Sequence, residues 1–228
     1  MKSKVSLYIN ALFLSFGLLT NALAEEKSLP QRIVTIKIFL ESELDDTVDQ
    51  KIMHYYVGEV IKQASRRFEK ESGIAFQLLE IEVHDFAKDP DPELLPGEID
   101  EEKVYQELEA LAPNEAADIL IALTAKIIPR CWYEYEEGAR VRKCKHLGGS
   151  ASRINGSQIL LSINRNQLLT YTNIPAADVQ LLIHELIHTF GGIHVNDKKS
   201  IMHENLLGDD FDETNKKIIM RNRFKHFK

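Results

Sequence analysis

Residues 184–194 read HELIHTFGGIH, and no other stretch limits the possible folds so tightly. Val179, Leu182, Ile183, Leu186, Ile187 and Phe190 recur at helical spacing, so Pro175 to Phe190 reads as a helix with one buried face. His184 and His188 then stand one turn apart on the same side. Gly191 follows at the point where a helix that ends and turns back requires positive φ. The chain must therefore supply a helix that stops sharply and a return segment that carries His194 toward the first two histidines.

Two imidazoles one helical turn apart can share a zinc ion at about 2.0–2.1 Å, and His194 is placed to be its third ligand. Three protein ligands leave a position open for water or substrate, the arrangement of a catalytic rather than a structural site. Glu185, next to the first ligand, can reach a metal-bound water without itself binding the metal. Chance is a poor explanation. At ordinary residue frequencies the whole pattern arises in about 1 in 10,000 chains of this length or fewer.

The rest of the sequence bounds the class of protein. Its 228 residues suit one good-sized domain. A formal net charge of −7 argues against a nucleic-acid partner, which would require a basic surface. Lys2 and Lys4 precede a mostly apolar run from Val5 to Leu19, and Ala22 and Ala24 occupy the small-residue positions of a signal-peptidase site. That run is short for a membrane span. Residues 1–24 thus read as a signal peptide and 25–228 as one mature domain, secreted or periplasmic, with no stable membrane insertion. Losing the two lysines takes the charge from −7 to −9. Export lets Cys131 and Cys144 read as a disulfide. Two free thiols are the alternative, and without CxxC spacing the pair makes a poor metal site. The acidic, proline-rich stretch from Asp85 to Glu102 can be read as a structural calcium loop, but it lacks EF-hand spacing, and a solvated loop is the better reading.

Periodicity supplies the remaining elements. Arg32–Ser42 and Ile74–Val83 read as strands around a helix over Thr47–Ser72, whose apolar stripe is Ile52, Tyr56, Val60, Ala64 and Phe68. A short helix at Glu101–Leu111 and a strand at Ala117–Ile127 follow, and the segment bounded by the cysteines reads as loop. Strand-like runs flank Asn155-Gly156 within Gly148–Ile163, a hairpin signal. A final helix is expected over Asp212–Phe227, with Lys216, Lys217, Arg221, Arg223 and Lys225 as a solvated basic face. The sum is one α/β domain with a mixed sheet.

With the motif complete, the sequence resembles the metzincin zinc peptidases, whose signature is HExxHxxGxxH followed by a methionine turn. His184, Glu185, His188, Gly191 and His194 occupy every fixed position, and Met202 follows in KKSIMHEN. The short spacing to Met202 resembles the matrixins and SIMH is similar to the astacin form, so no subfamily is assigned. The resemblance implies a twisted mixed sheet with a backing helix, an active-site helix and a C-terminal helix. It implies an endopeptidase with one catalytic zinc, Glu185 as general base, and Met202 as an apolar floor. A protein or peptide substrate would lie extended along an edge strand within Leu147–Ser162. Glu204, Leu206 and Leu207 would wall the pocket for the residue after the scissile bond.

Some positions depart from the family. Val195 follows His194 where subfamilies carry a distinguishing residue, and Glu204 stands where astacin-like enzymes place a tyrosine. Only about eight residues separate the expected cleavage site from the first strand, which leaves no room for a latency propeptide. A monomer is expected, either exported ready to act or restrained by a separate inhibitor. The departures keep a second reading open, a metzincin-fold zinc-binding or effector module without significant turnover. A purely structural zinc protein would need a fourth ligand that the spacing does not supply.

Overall fold

In the computed structural model the described residues are 32–45, 50–86, 92–136, 138–153, 156–163 and 174–227. The expected signal peptide with its cleavage site, residues 87–91 of the acidic stretch, and Asn155 of the expected turn lie outside them.

The β-branched run at Arg32 forms β1 (Arg32–Glu41), followed by the single turn α1 (Ser42–Asp45), the long α2 (Gln50–Ser72) and β2 (Ile74–His84). Next come α3 (Glu101–Leu111), β3 (Ile119–Thr124), the paired β4 (Ile128–Glu136) and β5 (Ala139–Leu147), then β6 (Gly149–Ala151) and β7 (Gln158–Ser162). Two helices close the chain, α4 (Ala176–Thr189) and α5 (Glu213–Arg221). The main sheet runs β2-β1-β3-β7-β6. Its first four strands are parallel, while β6 pairs antiparallel to β7 and forms an edge, so the sheet is mixed as expected.

Both faces of the sheet are covered, and the strands sort their side chains by alternation. Ile36, Ile38 and Leu40 of β1, Ile119, Ile121 and Leu123 of β3, and Ile159 and Leu161 of β7 face the core shared with α2 and α4. Phe39, Leu120, Ala122 and Leu160 face the other core, against Val104, Tyr105 and Leu108 of α3. Asp100 caps α3 by accepting from the Lys103 N–H, which sets where that helix begins. The expected stripe on α2 holds at Tyr56, Val60, Ala64 and Phe68, all buried, and departs only at its first member. Met53 is buried and Ile52 is half exposed, so the helix enters the core one residue later.

Two expectations are corrected. The cysteine-bounded segment is a hairpin, β4–β5, instead of a loop. Its strands carry mostly exposed residues, so no apolar alternation marks them, and pairing across the ladder holds them together. Cys131 and Cys144 are direct cross-strand partners and form the disulfide. The last helix stops at Arg221, and the basic residues around it do not make one solvated face. Arg223 is buried with a contact to the Gly73 carbonyl, Lys225 donates to the Thr189 carbonyl, and Lys216 pairs with Glu71 at 2.9 Å. These cations donate to helix-end carbonyls and pair with a carboxylate of neighbouring elements, which sequence periodicity does not reveal. No helix among the described residues is long and apolar enough to cross a membrane.

Phe68 of α2 joins the helical layer, with ring centroids 5.0 Å from Phe76, 5.6 Å from Phe190 and 5.5 Å from Phe211. Replacing it with alanine empties a fully buried site at the join between α2, β2 and the end of α4. Phe68→Ala is expected to lower unfolding free energy by about 3–5 kcal/mol, read from the urea midpoint at unchanged m-value.

Candidate metal centre

The site is built on the end of α4. Phe190 closes the helix, Gly191 takes φ 92°, and the Gly191 and Gly192 N–H groups return to the carbonyls of His188 and Ile187, both at 2.9 Å. This reciprocal pair of bonds is the Schellman arrangement. The last carbonyls are taken up from outside the helix. Asn222 Nδ2 donates to the Phe190 carbonyl at 2.7 Å, and Lys225 Nζ donates to that of Thr189. At Gly192 a Cβ would fall 2.2 Å from Ile187 Cγ2 and 2.9 Å from Asn215 Oδ1, so only glycine fits beneath the turn.

The turn returns the chain through Ile193, and Asn215 of α5 grips that residue on both sides. Its Oδ1 accepts from the Ile193 N–H at 2.9 Å and its Nδ2 donates to the Ile193 carbonyl at 3.0 Å. Asp212 fixes the Asn215 amide at 2.8 Å and also accepts from Ser200 Oγ at 2.7 Å. Ser200 Oγ in turn receives the Met202 N–H at 2.9 Å. The same small network thus holds the residue before His194 and the residue at the expected methionine turn.

His184, His188 and His194 come together as the spacing predicts. Their Nε2 atoms lie 3.1, 3.1 and 3.2 Å apart. His184 Nδ1 is 2.7 Å from the Ile201 carbonyl, and His188 Nδ1 is 2.9 Å from the Gly192 carbonyl. A carbonyl only accepts, so each Nδ1 carries its hydrogen and the neutral ring turns an Nε2 lone pair toward the other rings. Burial lowers the pKa of all three, that of His184 to about 4, which favours these neutral rings. Lone pairs facing one another repel, and a shared cation relieves that repulsion. Three nitrogens held about 2.0–2.1 Å from one ion at tetrahedral angles would sit roughly 3.3–3.4 Å apart, close to the triangle seen. The donor set fits zinc. These are the residues that could hold it, and they are the one metal-compatible cluster of histidine, cysteine and carboxylate found among the described residues.

Glu185 lies beside this triangle, 4 % exposed, under the edge strand β6. The Ala151 N–H, turned away from β7, donates to its carboxylate. Burial, reinforced by the nearby Glu101 carboxylate, pushes its pKa up to about 8, against the pull of Arg130 and that N–H. A Cβ at Gly149 would lie 3.2 Å from Glu185 Oε1 and 2.7 Å from Leu161 Cδ2, so the missing side chain is what lets β6 pass over the carboxylate. From the far side, α3 fixes β6. Tyr105 donates to the Ser150 carbonyl at 2.6 Å, and Ser150 Oγ donates to Glu101.

A cleft of about 710 Å³ opens onto the three histidines and Glu185, floored by Gly148 to Ala151 and bounded by Arg130, Lys145 and Leu206. The expected pocket residues divide. Glu204 and Leu206 line the cleft, with Glu204 paired to Lys145 at 3.1 Å. Leu207 is not among the residues that line the cleft. It is 58 % exposed, because Leu206 takes φ 49° and the chain turns there, sending consecutive leucines different ways. Met202 is fully buried, next to the residue whose carbonyl orients His184. Sequence reasoning missed Asn215, Gly149, Arg130 and the carbonyls of Gly192 and Ile201. Of these, only the doubled glycine carried a local signal.

No protein-family description matches this chain, and no curated protein matches it. Solved structures do. Archaemetzincin from Methanopyrus kandleri superposes with a TM-score of 0.56 at 15 % identity, over 88 % of this chain and 98 % of that one. A zinc-dependent peptidase from Methanocorpusculum labreanum strain Z gives 0.51 at 16 % identity, over 81 % and 99 %. The likeness is one of fold.

Asn215 grips the turn without approaching the metal position as a ligand. Removing the amide with Asn215→Ala is expected to weaken zinc binding by about ten- to a hundredfold in titration against a competing chelator, while the protein stays folded by circular dichroism.

Proposed function

We propose that this chain is an exported zinc-dependent endopeptidase of metzincin type, with His184, His188 and His194 as zinc ligands and Glu185 as general base. The observation that carries the reading is the convergence of three Nε2 lone pairs beside a buried carboxylate, in a cleft floored by an edge strand. The fold it shares with zinc peptidases supports the same reading. The apolar N-terminal run with its small-residue site, together with the disulfide, supports export.

His184, His188 and His194 would hold zinc, which when bound would supply Lewis acidity able to acidify a water to a pKa of about 7. The chain's own groups do the remaining work. Carbonyls of Ile201 and Gly192 fix the tautomers of His184 and His188, so the rings need not reorganise. Glu185 takes the proton of the attacking water at its carboxylate and delivers it to the departing amine nitrogen. Burial brings its proton affinity toward neutrality, which suits a group that must both accept and return a proton. The outer edge of β6 offers the main-chain groups of Gly149 and the carbonyl of Ala151, whose N–H is taken by Glu185, to a protein or peptide substrate in extended form. Met202 serves as a buried apolar support and takes no part in ligation. No tyrosine-assisted step is assigned, since Glu204 stands at that position and pairs with Lys145. We further propose a monomer, held in check by a separate inhibitor if it is restrained at all.

The deciding measurement is cleavage of a broad peptide library, read by mass spectrometry, with zinc, with chelator and as Glu185→Ala. The zinc-loaded protein should cut, the chelated protein should not, and Glu185→Ala should lose at least about a hundredfold in kcat/KM while retaining its metal. Cleavage that survives both changes would sink the mechanism. A folded, zinc-loaded protein inert on the whole library would favour the effector-module reading instead.

A further inference from the structure

The cleft is cationic on an acidic chain. Against a formal net charge of −7, its lining includes Arg130, Lys145 and Arg153, and the carboxylates that line it among the described residues are Glu185 and Glu204. Glu185 is buried beneath β6, and Glu204 neutralises Lys145. Arg130 and Arg153 are left. The Arg130 side chain is 59 % exposed, and its guanidinium has Glu101 at 3.6 Å, beyond good hydrogen-bonding distance. No ion pair involves Arg153 among the described residues.

Placement makes the charge meaningful. Arg130 and Lys145 are direct partners across the β4–β5 ladder, so their side chains leave the hairpin on one face, and both line the cleft. The disulfide joins the next pair, Cys131 and Cys144, and fixes the hairpin beside them. Arg153 stands just beyond the end of β6 and lines the same cleft. A guanidinium presents a planar fork that matches a carboxylate with two parallel hydrogen bonds. A concave, low-dielectric wall of one sign concentrates ligands of the other.

We propose that the cleft selects its ligands by a carboxylate, received by Arg130 with Arg153 further along the same wall. The inference takes the peptidase reading as its setting, since the ligand is then a peptide lying over Glu185 and the histidines. The carboxylate has two possible sources, an aspartate or glutamate side chain within the peptide or its C-terminal α-carboxylate. The first gives an endopeptidase that cuts beside acidic residues, and the second an enzyme that trims chain ends.

The test separates binding from turnover. Zinc-loaded Glu185→Ala protein is titrated by fluorescence anisotropy with labelled peptides that differ only in Glu against Gln, each with a free or an amidated C-terminus. One carboxylate-bearing form should bind roughly tenfold or more tighter than its neutral counterpart, with the advantage shrinking as salt rises. Adding Arg130→Gln should remove most of that advantage, Arg130→Lys part of it, and Arg153→Gln a smaller share. Equal affinity for all four peptides, or an advantage that survives Arg130→Gln, overturns the proposal. With Glu185 intact, Arg130→Gln should reduce kcat/KM on the preferred peptide more than on its neutral twin. An equal loss on both would overturn it in favour of a role acting through Glu185. Selective binding without cleavage by the Glu185-intact protein would keep carboxylate recognition and remove the peptidase reading alone.

Discussion

The repulsion between three imidazole lone pairs is the physical problem that the rest of the structure is arranged around. Free rings would rotate apart. Here two are held by main-chain carbonyls and the third is carried by a return loop whose first residues have no latitude. Gly191 reverses the chain, Gly192 passes where a Cβ would strike Ile187, and Asn215 grips the peptide groups on both sides of Ile193. Each of these contacts costs conformational freedom, and that cost is met by the apolar layer formed by α2, α4 and the sheet. The folded core and the site share one origin, because Phe190 both ends α4 and packs against Phe68.

A second constraint acts on Glu185. On the proposed reading, the carboxylate must stay beside the histidines, dry enough to bind a proton near neutrality and close enough to water to exchange it. The protein achieves this by laying an edge strand across it, with one N–H donated downward and no side chain at Gly149. Tyr105 and Glu101 of α3 hold that strand from the opposite face of the sheet. The small second core around α3 therefore bears on the site, although none of its residues is a metal ligand.

Much of this was legible in the sequence wherever a physical rule is local. The buried face of α4, the bounds of α3 and the pairing of β6 with β7 follow from periodicity and turn residues, which depend on neighbours a few positions away. The three histidines were legible because their spacing and helix geometry decide where they meet. What stayed hidden depends on contacts across long stretches of chain. The β4–β5 hairpin has too little burial to show alternation. Arg223 and Lys225 look like solvent-facing cations until the carbonyls of Gly73 and Thr189 are brought to them. Leu206 and Leu207 read alike as a sequence pair, and only the positive φ at Leu206 separates their fates. Asn215 resembles any polar residue in a charged helix, yet it is fully buried and sets the path to His194.

The groups that aim His184 and His188 belong to the main chain, and that has an evolutionary consequence. A carboxylate in the same place could be deleted by one codon change. A carbonyl persists through any substitution at Ile201, and at Gly192 it is lost only if the turn itself shifts. Ligand orientation is thus stored in the course of the backbone, spread over the residues that shape it. Flanking positions are free to diversify around a fixed centre. Carbonyls also bring no formal charge, so drift in the surrounding sequence leaves the electrostatics of the ring nitrogens largely untouched.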